Sequence, residues 1–243
     1  MALAVNLRES KILEECDLIP YCASEPVGNR VLVLAPHPDD ETLGCGGSLR
    51  LLSRAGTAVK VIFITNGEKA DPAVKNRERY AAIREEEALK ALNILDLSDY
   101  EFLRFPDRQL YEYMDKAKEM IAMIIENFNP DALYSPSSIE LNPDHRASAE
   151  IALKLQRRFG FKILFYELTT PLRPNILVDI TKAFRIKKKA IKAYRTQLNI
   201  IDYLRLIIAL NTYRTFTLGK NVKFAEAFLI VSRDNMESHI FNN

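Results

Sequence analysis

The sequence predicts an α/β protein with a mostly parallel sheet and helices on both faces. Two observations support this prediction. Short β-branched apolar runs, such as VLVLA at residues 31–35, alternate with longer segments of helical periodicity. The runs show no polar alternation, which is typical of strands buried on both faces. Strands and helices that alternate at this spacing favour parallel pairing, because each crossover helix returns the chain to the same edge of the sheet.

The elements follow one another in a regular order. Strands at 31–35 and 59–65 flank a helix over 41–54, which is followed by Gly56 at a capping position. The alternation continues with helix 76–92, strand 101–104, helix 111–127, strand 132–134, helix 143–158 and strand 162–166. After Pro171 the pattern changes to a strand at 175–181, a long and interrupted amphipathic helical stretch over 182–210, and a strand at 224–232. We predict one domain over residues 1–243, with a core of about 29–170 and a C-terminal elaboration of about 171–243.

Composition excludes several classes of protein. The chain has 243 residues, and 34 Lys plus Arg against 32 Asp plus Glu give a net charge of +2, which does not indicate nucleic-acid binding. A domain of this size buries enough apolar surface to fold without disulfides or a structural metal, so a metal ion would serve chemistry. The three cysteines, Cys16, Cys22 and Cys45, form no CxxC pair and favour a reducing compartment.

The first residues do not resemble a secretory signal, because Arg8, Glu9 and Lys11 interrupt any apolar stretch. No segment approaches the roughly 18 consecutive apolar residues of a membrane span. We therefore predict a cytoplasmic protein without a transmembrane segment, and peripheral membrane contact and oligomerisation stay open.

The segment APHPDDETLGCGG, at residues 35–47, follows the first predicted strand, where ligands bind in parallel α/β sheets. Its glycines Gly44, Gly46 and Gly47 do not fit G-x-G-x-x-G, because residue 49 is leucine. The missing third glycine disfavours a dinucleotide-binding protein without a metal.

The same segment predicts a metal site. His37 and Asp40 lie three residues apart in a loop that contains proline, and a second histidine, His145, follows the predicted strand at 132–134. A catalytic zinc ion takes about three such ligands plus a water molecule, whose proton a neighbouring carboxylate can accept. Spacing alone does not decide which of Asp39 and Asp40 is the ligand and which is the base. The alternative is structural, with the aspartates capping a helix and the histidines forming ordinary hydrogen bonds.

These residues resemble the PIG-L/LmbE-like zinc-dependent N-deacetylases. The family pattern A-[HP]-H-P-D-D-E-x-x-G-x-G-G corresponds to residues 35–47, and P-D-H-R corresponds to residues 143–146. The resemblance extends from about residue 29 to 228 and includes AEAF at 225–228. It implies a Rossmann-like sheet and a hydrolase that removes the acetyl group from an N-acetylglucosamine-type sugar in a glycoconjugate.

The resemblance also implies roles for individual residues. By position, the metal ligands are His37, Asp40 and His145, the general base is Asp39, and the sugar contacts include Arg84 and Asp107. The implied cofactor is zinc, with iron as a competitor for such a ligand set. Local alternatives exist for the sugar contacts, since Arg84 could pair with Glu87 on an exposed helix face and Asp107 could simply form a turn.

Asn142 departs from the family pattern, because many relatives carry histidine at this position. Asparagine can donate a hydrogen bond to substrate but cannot shuttle a proton at neutral pH. Asp144 would then lack its usual partner and would only orient the start of a helix. Loss of catalysis would leave a sugar-binding or glycolipid-binding module with the same pocket, which is the alternative to the hydrolase.

Two further features have several interpretations. The stretch at 191–213 could be core, a lid over the site or a contact surface, and Tyr194, Tyr203 and Tyr213 could stack on a sugar. The third histidine, His239, lies near the chain end and is not predicted to be a ligand, because termini are commonly mobile.

Overall fold

The computed structural model describes residues 19–232, so Cys16 and His239 lie outside the described residues. The strands are β1 Arg30–Ala35, β2 Ala58–Thr65, β3 Asp99–Phe105, β4 Ala132–Pro136, β5 Lys162–Tyr166, β6 Ile176–Asp179 and β7 Ala225–Val231. The helices are α1 Asp40–Arg54, α2 Arg77–Leu95, α3 Met114–Phe128, α4 Pro143–Phe159, α5 Phe184–Ile191, α6 Arg195–Leu198 and α7 Tyr203–Tyr213. Between residues 19 and 232, none of these helices has the combined length and apolar content that a membrane crossing requires.

The strands form one seven-stranded sheet in the order β3-β2-β1-β4-β5-β7-β6. Strands β1 to β5 are parallel, and β7 pairs antiparallel with both β5 and β6. This arrangement confirms the predicted mostly parallel α/β fold. From β1 the chain first builds outwards through β2 and β3 and then returns to place β4 on the other side of β1. The carboxyl ends of β1 and β4 therefore border the crevice where α/β sheets bind ligands.

Side chains of β1 alternate between two apolar clusters, one on each face of the sheet. Val31 and Val33 share a cluster with Leu49 of α1 and with residues of α2 and α5. Leu32 and Leu34 share the other cluster with residues of α3 and α4. Both sets are fully buried, which explains why the β1 sequence is apolar at every position from residue 31 to 35.

The region after residue 171 joins the same sheet through β6 and β7, and its predicted interrupted helical stretch consists of α5, α6 and α7. A buried ion pair ties this region to α1. Lys187 Nζ lies 2.6 Å from Glu226 Oε1, and the Glu226 carboxylate also accepts the backbone N–H groups of Gly47 and Ser48 at 2.8 Å. Because all these partners are buried, the C-terminal elaboration holds α1 in place against the sheet.

Helix α1 packs so closely that one of its glycines leaves no room for a side chain. A Cβ added to Gly44 would lie 2.2 Å from Cδ2 of Tyr166, whereas one added to Gly46 would meet no atom closer than 3.5 Å. Tyr166 is fully buried and donates its hydroxyl to the Leu34 carbonyl at 2.8 Å, so its ring has little freedom to move away.

We therefore expect Gly44→Ala to lower the free energy of unfolding by about 1–3 kcal/mol, the usual cost of overpacking a core. Gly46→Ala is the matched control in the same helix, and it should raise stability by about 0.5–1 kcal/mol because alanine favours the helical state. Urea-induced unfolding measures both variants. Equal stability of Gly44→Ala and the wild type would contradict the packing of α1 on Tyr166.

Candidate active site

The two sequence motifs meet at the crevice between β1 and β4. His37 and Asp39 lie in the turn that links β1 to α1, and Asp40 is the first residue of α1. His145 lies in the first turn of α4, which begins with Pro143 after Asn142 at the N-cap. Proline is favoured at a first helical position because its missing N–H group would have no partner there. The four side chains that the sequence predicts as ligands and base are all buried.

Three of these side chains converge on one point. His37 Nδ1 lies 3.1 Å from Asp40 Oδ2 and 3.2 Å from His145 Nε2, and His145 Nε2 lies 3.2 Å from the same carboxylate oxygen. Ligand atoms around a tetrahedral zinc ion are about 3.3 Å apart, given bond lengths of roughly 2.0–2.1 Å. Each of the three atoms can offer a lone pair. The cluster can therefore hold a metal ion, as the spacing of its donors allows.

The other ring nitrogen of His37 faces two carboxylates. His37 Nε2 lies 3.2 Å from Asp107 Oδ1 and 3.3 Å from Asp144 Oδ2. A proton on Nε2 satisfies both contacts and leaves the lone pair of Nδ1 facing Asp40 and His145. Carboxylates placed in this way fix the tautomer and the ring orientation of a metal-binding histidine.

Asp144 thus has more contacts than the sequence suggested. Its carboxylate accepts the backbone N–H groups of Arg108 at 2.7 Å and Leu110 at 3.1 Å, in addition to facing His37. The carboxylate therefore joins the loop after β3 to the cluster of His37, Asp40 and His145. Asp144 therefore has three partners although residue 142 is asparagine. The expectation that Asp144 only orients the helix start is wrong.

Asp39 occupies the N-cap position of α1 but does not cap the helix with its side chain. Its backbone has φ 144° and ψ −26°, a conformation that a residue other than glycine rarely adopts. Its Oδ1 instead lies 3.2 Å from Arg84 Nη2. The structural alternative, in which the paired aspartates serve as a helix cap, is therefore wrong for Asp39.

Arg84 is 2% exposed and points into the site, not toward Glu87 on an exposed helix face. Its Nη1 donates to the Gly67 carbonyl at 2.8 Å, and its Nη2 donates to the Pro38 carbonyl at 2.7 Å. Burial raises the pKa of Asp39 to about 7, and the nearby Arg84 guanidinium opposes that rise. Arg84 therefore orients the Asp39 carboxylate and favours its charged form.

Asp40 and His145 influence each other strongly. Burial alone would raise the pKa of Asp40, but the charge and hydrogen bonds of His145 and His37 hold it well below its usual range. Burial likewise disfavours protonated His145, yet the Asp40 carboxylate outweighs this effect and raises the pKa of His145 to about 9. Asp40 therefore keeps its negative charge between the two histidines.

A cavity of about 200 Å³ opens above the cluster. Three residues predicted to contact sugar line it, namely Arg84, Asp107 and Asn142. Asp107 is 3% exposed, and its Oδ2 accepts the Lys69 backbone N–H at 2.9 Å. Asn142 Oδ1 accepts the Asp144 backbone N–H at 2.9 Å, so its amide nitrogen is left as the donor. The larger apolar and aromatic side chains that line the cavity are Leu43, Leu168, Ile200, Ile201, Tyr203 and Ile207.

The three tyrosines of the C-terminal elaboration have different positions. Tyr203 lines the cavity, while Tyr213 is 56% exposed and stacks on Phe216. Tyr194 is 1% exposed, and its hydroxyl donates to Glu41 of the HPDDE motif. Glu41 has no role predicted from the sequence, although its position directly after Asp39 and Asp40 in HPDDE could have indicated one. The contact between Glu41 and Tyr194 had no sequence signal, because helical periodicity does not specify distant partners.

Comparisons with known proteins find relatives of this chain. The family described as PIG-L, GlcNAc-PI de-N-acetylase, matches residues 32–155. A Bacillus cereus protein, probable N-acetyl-alpha-D-glucosaminyl L-malate deacetylase 2, is 30% identical over 183 residues, which cover 69% of this chain and 83% of that protein. Diacetylchitobiose deacetylase of Thermococcus kodakarensis is 26% identical over 213 residues, 77% of each chain. The solved structure of N,N'-diacetylchitobiose deacetylase from Pyrococcus horikoshii has the same fold, with a TM-score of 0.75 and 24% identity over 84% of each chain. By its sequence match, this chain belongs to the PIG-L family.

Proposed function

We propose that this chain is a zinc-dependent hydrolase that removes the acetyl group from an N-acetylated amino sugar in a glycoconjugate. One observation carries the proposal: three donor atoms spaced so that they can hold a metal ion, and a separate buried carboxylate, Asp39, belong to residues that line the same cavity. Hydrolysis of an amide needs both parts, a site that activates the carbonyl and a base that accepts a proton from water. The relatives named above are deacetylases of N-acetylated sugars, which supports the same reaction here.

The proposed ligands are His37 Nδ1, Asp40 Oδ2 and His145 Nε2. A bound zinc ion would polarise the acetyl carbonyl and lower the pKa of a water molecule to about 7. Two imidazoles and one carboxylate suit zinc, and they also suit iron. Asp107 and Asp144 hold His37 in the orientation that this role requires.

Asp39 is the proposed general base. Its carboxylate, oriented by Arg84, accepts a proton from water as the water oxygen bonds to the carbonyl carbon. The bond between carbon and nitrogen then breaks, and Asp39 returns the proton to the leaving amine. The products are acetate and the free amino sugar. Asn142 cannot supply that proton, but its amide nitrogen can donate a hydrogen bond to the oxyanion.

Substrate contacts at Arg84, Asp107 and Asn142 stay predictions, supported by the position of all three at the cavity. The volume of about 200 Å³ is below the roughly 300–1,000 Å³ of pockets for drug-sized ligands. We infer that the cavity takes one amino-sugar unit and that the remainder of the conjugate lies at its mouth. The cytoplasmic location also stays a prediction of the sequence.

The direct experiment measures release of acetate and of a primary amine from a panel of N-acetylglucosamine conjugates. The panel includes a malate conjugate and diacetylchitobiose, which appear in the protein names of the two relatives described above. We expect turnover with zinc present and its loss after removal of zinc by a chelator. Saturable binding of a conjugate without acetate release, under the same conditions, would instead support the sugar-binding module.

A further inference from the structure

Glu41 connects the proposed base to the C-terminal elaboration. It lies in the first turn of α1 and is fully buried. Its Oε2 accepts the backbone N–H of Asp39 at 3.3 Å. Its Oε1 accepts the Thr42 hydroxyl at 2.5 Å and also the hydroxyl of Tyr194. One carboxylate therefore joins the backbone of Asp39 to a tyrosine that follows it by more than 150 residues.

The backbone of Asp39 needs such support. A φ of 144° places a residue with a Cβ in a region where only glycine is unstrained, and such conformations persist only when surrounding contacts hold them. The contacts present are the Glu41 bond to the N–H group of Asp39 and the Arg84 bonds to the Pro38 carbonyl and the Asp39 carboxylate. The direction of the Asp39 side chain depends on this backbone conformation.

Contacts of neighbouring residues anchor the chain segment on both sides of Tyr194. Tyr194 lies between α5 and α6. Two residues later, Thr196 donates its backbone N–H and its hydroxyl to Glu87 at 3.0 Å and 2.6 Å. On the other side, Lys187 of α5 forms the buried ion pair with Glu226. Tyr194 lies beyond residues 32–155, the part of the chain that the family model matches.

We propose that Glu41 and Tyr194 are positioning residues for Asp39, in which the Tyr194 hydroxyl orients the Glu41 carboxylate and Glu41 holds the backbone of Asp39. This inference rests on the proposed role of Asp39 as general base. The C-terminal elaboration thereby contributes to the reaction without contacting the substrate through Tyr194. Neither residue belongs to the proposed metal-ligand set, so their effect on catalysis and their effect on metal binding are separable.

Tyr194→Phe tests the proposal, because it removes one hydroxyl and retains the ring. We expect kcat to fall about tenfold with KM and zinc affinity unchanged, since a displaced base slows the chemical step alone. Tyr134→Phe is the matched control: Tyr134 is also fully buried, and its hydroxyl donates to the Val27 carbonyl at 2.8 Å, away from Asp39. The control should lose some thermal stability and keep its kcat.

Two substitutions at Glu41 add a rescue experiment. Glu41→Ala should lower kcat further than Tyr194→Phe, and Glu41→Gln should recover part of the loss because its amide oxygen can still accept the Asp39 N–H. If Tyr194→Phe does not fold, Thr42→Val removes the other donor to Glu41 Oε1 and should also lower kcat. A kcat of the Tyr194→Phe variant within twofold of the wild type would overturn the proposal, as would an equal loss of zinc affinity.

A measurement without substrate separates this inference from the proposed function. The Asp39 amide should exchange its hydrogen faster in Tyr194→Phe than in the wild type, because its acceptor is less well held. Unchanged exchange at Asp39 would refute the positioning role even if the enzyme were active. If exchange is faster but the wild-type protein releases no acetate from any conjugate, the link between Tyr194 and the Asp39 backbone is supported and the proposed hydrolase function is contradicted.

Discussion

Replacing Asp39 with asparagine is expected to lower kcat by roughly 10²–10⁴-fold, the usual contribution of a general acid–base group. Asparagine preserves the size of the side chain and can still contact Arg84, but it cannot accept the proton of the attacking water. Zinc content should stay at the wild-type level, because none of the three converging donor atoms belongs to Asp39. Acetate release under saturating substrate, together with metal analysis of the same sample, measures both quantities.

The adjacent residue supplies a matched comparison for this variant. Asp40→Asn is the same chemical change one position later, and Asp40 Oδ2 is one of the three converging atoms. It should lose both zinc and activity, whereas Asp39→Asn should lose activity alone. Zinc loss from Asp39→Asn, or near-wild-type turnover by that variant, would show that the two aspartates have been assigned the wrong roles.

Replacing His145 with alanine is expected to weaken zinc binding by more than about 100-fold, which is the upper end of the loss for groups that only orient a ligand. The substitution removes one of three donors, and it leaves Asp40 without the imidazole that lies 3.2 Å away. Competition with a chelator of known zinc affinity measures the change. Because the readout is metal binding, it does not depend on identifying the substrate.

Two further variants calibrate the His145 result. Asp144→Asn keeps all three donors and weakens the support of His37, together with the contacts to the backbone N–H groups of Arg108 and Leu110. We therefore expect an intermediate loss of about 10–100-fold. His239→Ala makes the same substitution at the histidine that the sequence does not assign to the site, and it should bind zinc as the wild type does. Unchanged zinc affinity in His145→Ala would remove His145 from the ligand set.

The fold was largely predictable because its strongest signals are local. The run VLVLA at residues 31–35 indicated a strand buried on both faces, and β1 is an interior strand with an apolar cluster on each face. The interrupted helical stretch predicted over 182–210 was less precise, since the chain there forms three helices and the last one ends at Tyr213. The side chain of Asp202 accepts the Arg205 backbone N–H and starts α7 anew. Helical periodicity continues across such a cap, so the pattern indicated an interruption but did not locate it.

The site was predictable to the extent that its residues are contiguous in sequence. The HPDDE motif contains His37, Asp39 and Asp40 within four positions, and a turn of this length after β1 brings them to the crevice. Spacing did not distinguish the two aspartates, and the resemblance to a family assigned them. The structure adds a physical distinction, because Asp40 faces the two histidines and Asp39 faces Arg84.

The sequence by itself determined the parallel sheet, the strand ends that carry the site and the residue types available there, because periodicity and short motifs are properties of neighbouring residues. Tertiary structure alone decided which partner each buried carboxylate takes. Asp144 faces His37 across 107 positions, and Glu41 accepts from Tyr194 across 153. Such pairs depend on how helices from opposite ends of the chain pack on one sheet, and no local pattern records that packing.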